Sequence, residues 1–200
     1  MKLKYYAIRK GHTTGVYFGT WEQVKSKVDG FAGAEYKSFS DVYKAQQYIL
    51  EEEYKEDVPD TYYAYVDGSN LGDGSAYSGS CVIVYNGEML DESNLRGENP
   101  DFLPKRNIAG EIMGALLAIS WAQKNNITQL FICHDYNGVG KWATGEFKAR
   151  DPLSIMYKQQ VDNSIAGGLD LKFIKVKGHS GHEYNERADV LAKEALGIGI

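Results

Sequence analysis

Residues 107–126, NIAGEIMGALLAISWAQKNN, are apolar on nearly every face of a helix. That pattern belongs to a helix covered on several sides, not to one lying on a surface. The chain must therefore bury this helix inside a layered fold, with a sheet against it and further elements around it. One carboxylate, Glu111, sits a turn into the run among Ala109, Gly110, Ile112 and Met113. An ionised carboxylate in such company is costly to desolvate unless a cation meets it.

The neighbouring segments say what covers the helix. TYYAYVDGS is a β-rich run ending in Asp67 and a Gly-Ser turn, and SCVIVYNGEMLDE reads as two strands around Asn86-Gly87, a strong hairpin pair. TQLFICHD is a continuous apolar run ending in Asp135, as expected of a strand covered on both faces. DPLSIMYKQQVDNSIAGG predicts a helix capped by Asp151, with Pro152 at its first position. LKFIKVK predicts another strand, and EYNERADVLAKEALG a last helix ending near Gly197. The order β-β-β-α-β-α-α-β-α predicts an α/β fold, a five-stranded mixed sheet with helices on its faces.

Charge divides the chain. Residues 1–50 carry eight Lys/Arg and four Asp/Glu, residues 51–60 (EEEYKEDVPD) six acids and one lysine, and residues 61–200 thirteen basic and seventeen acidic groups. A basic head at 1–50, an acidic linker at 51–60 and a larger body at 61–200 follow from that distribution. No stretch approaches the roughly 20 apolar residues of a membrane span, and MKLKYYAIRKGHTTG lacks the apolar run of a signal peptide. Cys81 and Cys133 lie in apolar runs and read as buried free thiols of a reducing compartment, the cytoplasm.

Asp67 and Asp135 each follow a strand, and ligands of open α/β sheets collect at the carboxyl ends of strands. Asp189 lies among Ala188, Val190 and Leu191. Four acids meeting at one place would raise one another's pKa. Divalent ions resolve that conflict, and an all-oxygen set selects Mg2+, with Mn2+ as a substitute. Each acid alone has an ordinary reading: a turn for Asp67, a helix cap for Asp135, an i,i+4 pair with Lys193 for Asp189. Glu111 is the hardest to explain that way. Zinc is a poor rival, because Cys133 and His134 are adjacent in a strand and point to opposite faces, leaving only His179 and His182 as soft ligands.

VDGS, AGE within an apolar helix, FICHD, and VKGHSGHEYNERAD together resemble the type 1 ribonuclease H family over most of residues 61–197. The resemblance implies four metal-binding acids, Asp67, Glu111, Asp135 and Asp189, holding two ions. It also implies a mobile catalytic His179 ten residues before the last acid. The implied activity is endonucleolytic hydrolysis of the RNA strand of an RNA/DNA hybrid, leaving 5′-phosphate and 3′-hydroxyl ends. Glu186, three residues before Asp189, is then a supporting acid behind the ligands. Asn107 matches a polar position in the RNA groove, and Asn70 and Asn137 are candidates for similar donation. Trp142 either packs on DNA sugars or belongs to the core. Many members insert a basic loop between the third acid and the histidine. Here the lysines and arginine from Lys141 to Lys177 are spread among acids, so the body alone is expected to grip hybrid weakly.

KYYAIRKGHTTGVY, Trp21 in TWEQVKSKVDGF, and AEYKSFSDVYKAQQYI resemble the small hybrid-binding (viroplasmin-type) domain found ahead of some type 1 ribonucleases H. Thr20 with Gln23 forms a capping box, so Trp21 opens a short helix. The resemblance assigns hybrid contacts to Tyr6, Trp21, Tyr36 and Lys37, against a reading of Tyr6 and Tyr36 as core residues. Ser38 stands where a second lysine is common. No obligate protein partner is evident, and a monomer is expected.

Overall fold

The computed structural model describes residues 3–40, 42, 45, 48, 60–176, 178 and 182–199. It divides into two compact units, Met1–Lys55 and Glu56–Ile200. Apart from Asp60, the acidic linker lies outside the described residues, as does His179.

The smaller unit is a three-stranded antiparallel sheet of β1 (Lys4–Lys10), β2 (Gly15–Gly19) and β3 (Glu35–Phe39), in the order β2-β1-β3. Helix α1 (Trp21–Val24) begins where the capping box sets it, the Thr20 N–H donating to Gln23 Oε1 at 2.9 Å. Strand alternation puts Tyr6 and Ile8 on one face, where they pack with Val24 and Val28 under the edges of Tyr17 and Trp21. Ala7 and Arg9 point the other way. The Arg9 guanidinium lies 3.8 Å from the centre of the Tyr48 ring and its Nε donates to the Tyr48 carbonyl.

The larger unit carries β4 (Tyr62–Asn70), β5 (Tyr77–Tyr85), β6 (Glu88–Gly97), α2 (Asn107–Lys124), β7 (Gln129–His134), α3 (Asn137–Thr144), α4 (Pro152–Ala166), β8 (Asp170–Lys175) and α5 (Glu183–Glu194). Its sheet runs β6-β5-β4-β7-β8, antiparallel across the first three strands and parallel from β4 through β8. The expected element order and mixed five-stranded sheet are both present. Asn86 and Gly87 both take positive φ, 51° and 76°, as a tight hairpin turn requires. Asp151 Oδ1 accepts from the Ser154 N–H at the start of α4. Regular helix in α5 stops at Glu194, three residues before Gly197. The Ile198 N–H reaches the Lys193 carbonyl and the Gly197 N–H that of Glu194, with Gly197 at φ 71°, so the turn that closes the helix is centred on the glycine.

One core joins Ala64, Val66, Cys81 and Ile83 of the sheet to Ile112, Ala115, Ala118 and Ile119 of α2 and to Leu153, Tyr157 and Val161 of α4. Trp142 is 9% exposed and belongs to it, which answers its two readings in favour of the core. Helix α5 covers the opposite face. Ser78 Oγ and Ser80 Oγ donate to the Ala192 and Ala188 carbonyls at 2.5 and 2.6 Å. Both cysteines are buried free thiols. Among the described residues no helix is long and apolar enough to cross a membrane.

Glycines let the backbone of helix α2 lie directly against that of the sheet. A Cβ on Gly110 would collide with the Ser78 carbonyl, and one on Gly114 with that of Ser80. From the sheet side, a Cβ on Gly68 would strike the backbone of Asn107, Gly110 and Glu111. That contact fixes the height of Glu111 above the end of β4.

Candidate metal centre

Asp67 lies inside β4, not directly after a strand as expected. Antiparallel pairing with β5 continues from Asp67–Ser80 to Asn70–Tyr77, and this prolongs the strand. Parallel pairing with β7 ends at Tyr65–Cys133, so Asp67 stands past the last β4–β7 pair, at the mouth between the two strands. Asp135 follows β7 immediately, as its apolar run predicts. Glu111 comes from α2, and its position beside Gly68 brings it over the same mouth.

The three carboxylates converge: one oxygen from each of Asp67, Glu111 and Asp135 lies within 4.8 Å of the other two. Asp67 is 9% exposed and Glu111 4%. Glu111 Oε2 accepts the Tyr136 N–H at 3.2 Å, and Asp67 Oδ1 accepts the Gly68 N–H at 2.6 Å. Burial, with Asp135 and Asp67 adding repulsion, pushes the Glu111 carboxyl up to about 9. Without a bound cation it is neutral at pH 7. A buried acid whose ionisation is disfavoured, beside two others and with oxygen-only donors, is what a hard divalent cation fits.

Asp189 is not a member of this group of three. It projects from α5, where its Oδ2 holds Lys193 Nζ at 2.6 Å. Glu186 lies one turn earlier on the same helix. Gly178 borders the centre, because a Cβ on it would run into Asp135 Oδ2, and the Val176 N–H is held by the His134 carbonyl at 2.9 Å. Lys175 Nζ bonds the carbonyl oxygens of Asp135 and Val176. Asn70 ends β4, its Nδ2 donating to the Leu71 carbonyl. Asn107 and Asn137 are exposed at the first positions of α2 and α3.

His134 is buried at 3% exposure. Its Nδ1 donates to the Tyr136 carbonyl at 2.8 Å, and burial holds the ring's pKa down to about 4. It is a neutral structural imidazole. His182 stacks on Tyr65 with ring centres 4.6 Å apart, and the Tyr184 hydroxyl donates to the Gly87 carbonyl, tying the start of α5 to the β5–β6 turn.

In the smaller unit Trp21 stacks on Tyr36, ring centres 5.2 Å apart at 19°, and tilts against Tyr6 at 5.7 Å. Tyr6 is a core residue at 8% exposure, whereas Tyr36 is 43% exposed. Tyr36 pairs with Ile8 and Lys37 with Ala7 in the ladder, so Lys37 belongs to the other face from the three rings. The four residues assigned hybrid contacts are thus three aromatics on one face and a lysine on the opposite one.

Sequence reasoning passed over Lys175, the Tyr136 N–H and the glycine contact. The Gly-x-x-x-Gly spacing of Gly110 and Gly114 is visible in the sequence, but its partners Gly68 and Gly79 come from separate strands.

A mixed sheet of this order, with acids at the mouth between β4 and β7 and a third from the buried helix, defines a protein of the ribonuclease H fold with a metal-competent acidic centre. Residues 59–197 match the family model described as RNase H, and residues 4–49 that of the Ribonuclease H1 N-terminal domain. The chain belongs to the RNase H family, type 1, and is a ribonuclease H enzyme. Ribonuclease H1 of Rattus norvegicus is 24% identical over 253 aligned residues, covering 95% of this chain and 88% of the relative. Ribonuclease H of Bartonella tribocorum is 29% identical over 140 residues, covering 66% and 86%. RNase H1 from the archaeon Halobacterium salinarum superposes with a TM-score of 0.58 at 24% identity, over 68% of this chain and 98% of that one. LC11-RNase H1 in complex with an RNA/DNA hybrid superposes with a TM-score of 0.58 at 19% identity, over 68% and 97%.

Proposed function

We propose that this enzyme cuts the RNA strand of RNA/DNA hybrids endonucleolytically, leaving 5′-phosphate and 3′-hydroxyl ends, with two Mg2+ ions that Mn2+ can replace. The observation that carries the reading is the meeting of Asp67, Glu111 and Asp135 within 4.8 Å, with burial and the two aspartates raising the Glu111 carboxyl. Family membership and the hybrid held by LC11-RNase H1 support the substrate class.

Asp67, Glu111, Asp135 and Asp189 are the metal ligands in this reading. Bound there, the ions supply Lewis acidity, activating the attacking water and stabilising the leaving 3′-oxygen. The protein's own groups do the rest. Gly68 and Gly110 hold Glu111 at the mouth, and the Tyr136 N–H orients its carboxylate. Glu186 supports Asp189 from the preceding turn of α5. His179 moves a proton at the leaving or attacking oxygen. Asn70, Asn107 and Asn137 donate to 2′-hydroxyls, which distinguish RNA from DNA. In the head, Trp21 and Tyr36 pack on the DNA sugars, with Tyr6 supporting them, and Lys37 binds phosphate. The enzyme acts as a monomer in the cytoplasm, the two buried thiols being compatible with a reducing compartment.

The test is cleavage of a hybrid labelled on its RNA strand, with Mg2+, beside an RNA duplex, a DNA duplex and an Asp135→Asn control. Cutting of the hybrid's RNA alone, lost in the control, is the expected result. Binding of hybrid without any cutting, in Mg2+ or Mn2+, would replace this reading with that of a catalytically silent hybrid-binding protein.

A further inference from the structure

Asp67, Ser80 and Asn94 are neighbours in one row across β4, β5 and β6, so their side chains share a face of the sheet. That face carries α5. Ser80 Oγ donates to the Ala188 carbonyl at 2.6 Å and lies 3.4 Å from the Asp67 carbonyl oxygen. Asn94 Nδ2 donates to the Leu191 carbonyl at 3.1 Å. One hydroxyl therefore stands between the backbone of Asp67 and that of the residue before Asp189. The two carbonyls held by the row lie on either side of Asp189 along the helix.

Neither carbonyl needs these donors. The Ala195 N–H already reaches the Leu191 carbonyl at 3.1 Å, and the Ala188 carbonyl, in mid-helix, takes the N–H four residues on. Ser78 differs. The Ala192 carbonyl that it holds lies in the last turn, where helix carbonyls depend on outside donors, and the Leu196 N–H goes to Lys193 instead. Ser78 therefore has an ordinary capping role, whereas Ser80 and Asn94 add directional bonds where apolar packing alone would let α5 slide along the strands. Resting on the metal reading above, we propose that Ser80 and Asn94 are positioning residues that fix the axial position of α5 and hold Asp189 level with Asp67, ready to bind the ions. The Ser80 carbonyl abuts Gly114 of α2 on the other face of the sheet. Loss of the hydroxyl leaves that contact, and with it Glu111, in place.

The test titrates Mn2+ alone into the full chain, reading bound ion by electron paramagnetic resonance and folding by melting temperature. Ser80→Ala combined with Asn94→Ala should weaken Mn2+ binding about fivefold or more, as loss of groups that orient a ligand does. Ser78→Ala loses an equally buried hydroxyl bond. It should lower the melting temperature but keep Mn2+ affinity within about twofold, its bond lying beyond Asp189. Asp189→Asn should itself weaken Mn2+ binding, and S80A/N94A should add no further loss in that background. Should the double variant fail to fold, Asn94→Ala alone, on the edge strand β6, is read by the same comparisons. Wild-type Mn2+ affinity in the folded variant, an equal loss in S78A, or a further loss in the D189N background overturns the inference and leaves the metal reading intact. No Mn2+ binding by the wild type, or undiminished binding by D189N, overturns both.

Discussion

The Tyr136 N–H donates to Glu111 Oε2 at 3.2 Å, so the residue that follows Asp135 holds the buried carboxylate of α2 in place. Strand end and helix are thereby joined at the centre itself, and several measurable consequences come from that arrangement.

The Glu111 carboxyl is pushed up to about 9 in the metal-free protein, burial being the largest cause. In the unfolded chain it titrates near the ordinary glutamate value of about 4.3. Between those two values the folded state binds the additional proton, so this group's contribution to stability falls as pH rises through the window. Each pH unit of displacement corresponds to about 1.4 kcal/mol. Metal-free protein should lose melting temperature from pH 5 to pH 9, more steeply than Glu111→Gln. Saturating Mg2+ should remove most of the difference. Parallel slopes for the two proteins would show that Glu111 is not the group responsible.

Asp67→Asn removes one of three acids that meet within 4.8 Å, one whose charge raises the Glu111 carboxyl. Without metal the variant should melt at or above the wild-type temperature, while hybrid cleavage falls on the order of 100-fold or more. Calorimetry and single-turnover cleavage read the two effects separately. A variant that melts well below the wild type would assign Asp67 a structural role instead.

Gly110→Ala places a Cβ into the Ser78 carbonyl. Overpacking at a helix–sheet contact costs about 1–3 kcal/mol. Because Glu111 is the next residue, Mn2+ affinity should fall together with stability. A control at the exposed Gly87 turn would lower stability through its positive φ of 76° without touching Mn2+ binding. Equal Mn2+ affinity in G110A and wild type would separate the glycine contact from the centre.

Trp21 stacks on the exposed ring of Tyr36. Trp21→Ala should weaken hybrid binding by about 1–3 kcal/mol, as loss of a stacking platform does. The cleavage rate on saturating hybrid should stay as in the wild type. Lys37→Ala, on the opposite face of the sheet, should reduce the salt dependence of binding by about one charge. Fluorescence anisotropy over a salt series measures both, and unchanged affinity in W21A would remove Trp21 from the contact surface.

Much of this was legible in the chain before folding. The capping box at Thr20–Gln23, the Asn86-Gly87 hairpin and the Asp151 cap are local, set by neighbouring residues, and each appears where the sequence puts it. Glu111 was marked by its apolar neighbours, since a carboxylate inside a buried helix needs a reason. The extension of β4 beyond Asp67 was not legible, because it depends on pairing with β5 across a turn. Nor was the face of Lys37: Tyr36 and Lys37 are adjacent in sequence, and only the pairing with Ile8 and Ala7 sets them on opposite sides.

The sequence by itself determined the elements, the acids and the company each acid keeps, because caps, turns and periodicity act over a few residues. Only the tertiary structure decided that Asp67, Glu111 and Asp135 share one space while Asp189 is held by Lys193. The reason is physical: distances between residues tens of positions apart are set by strand register and by how closely α2 can approach β4 and β5. Glycines on both surfaces fix that approach.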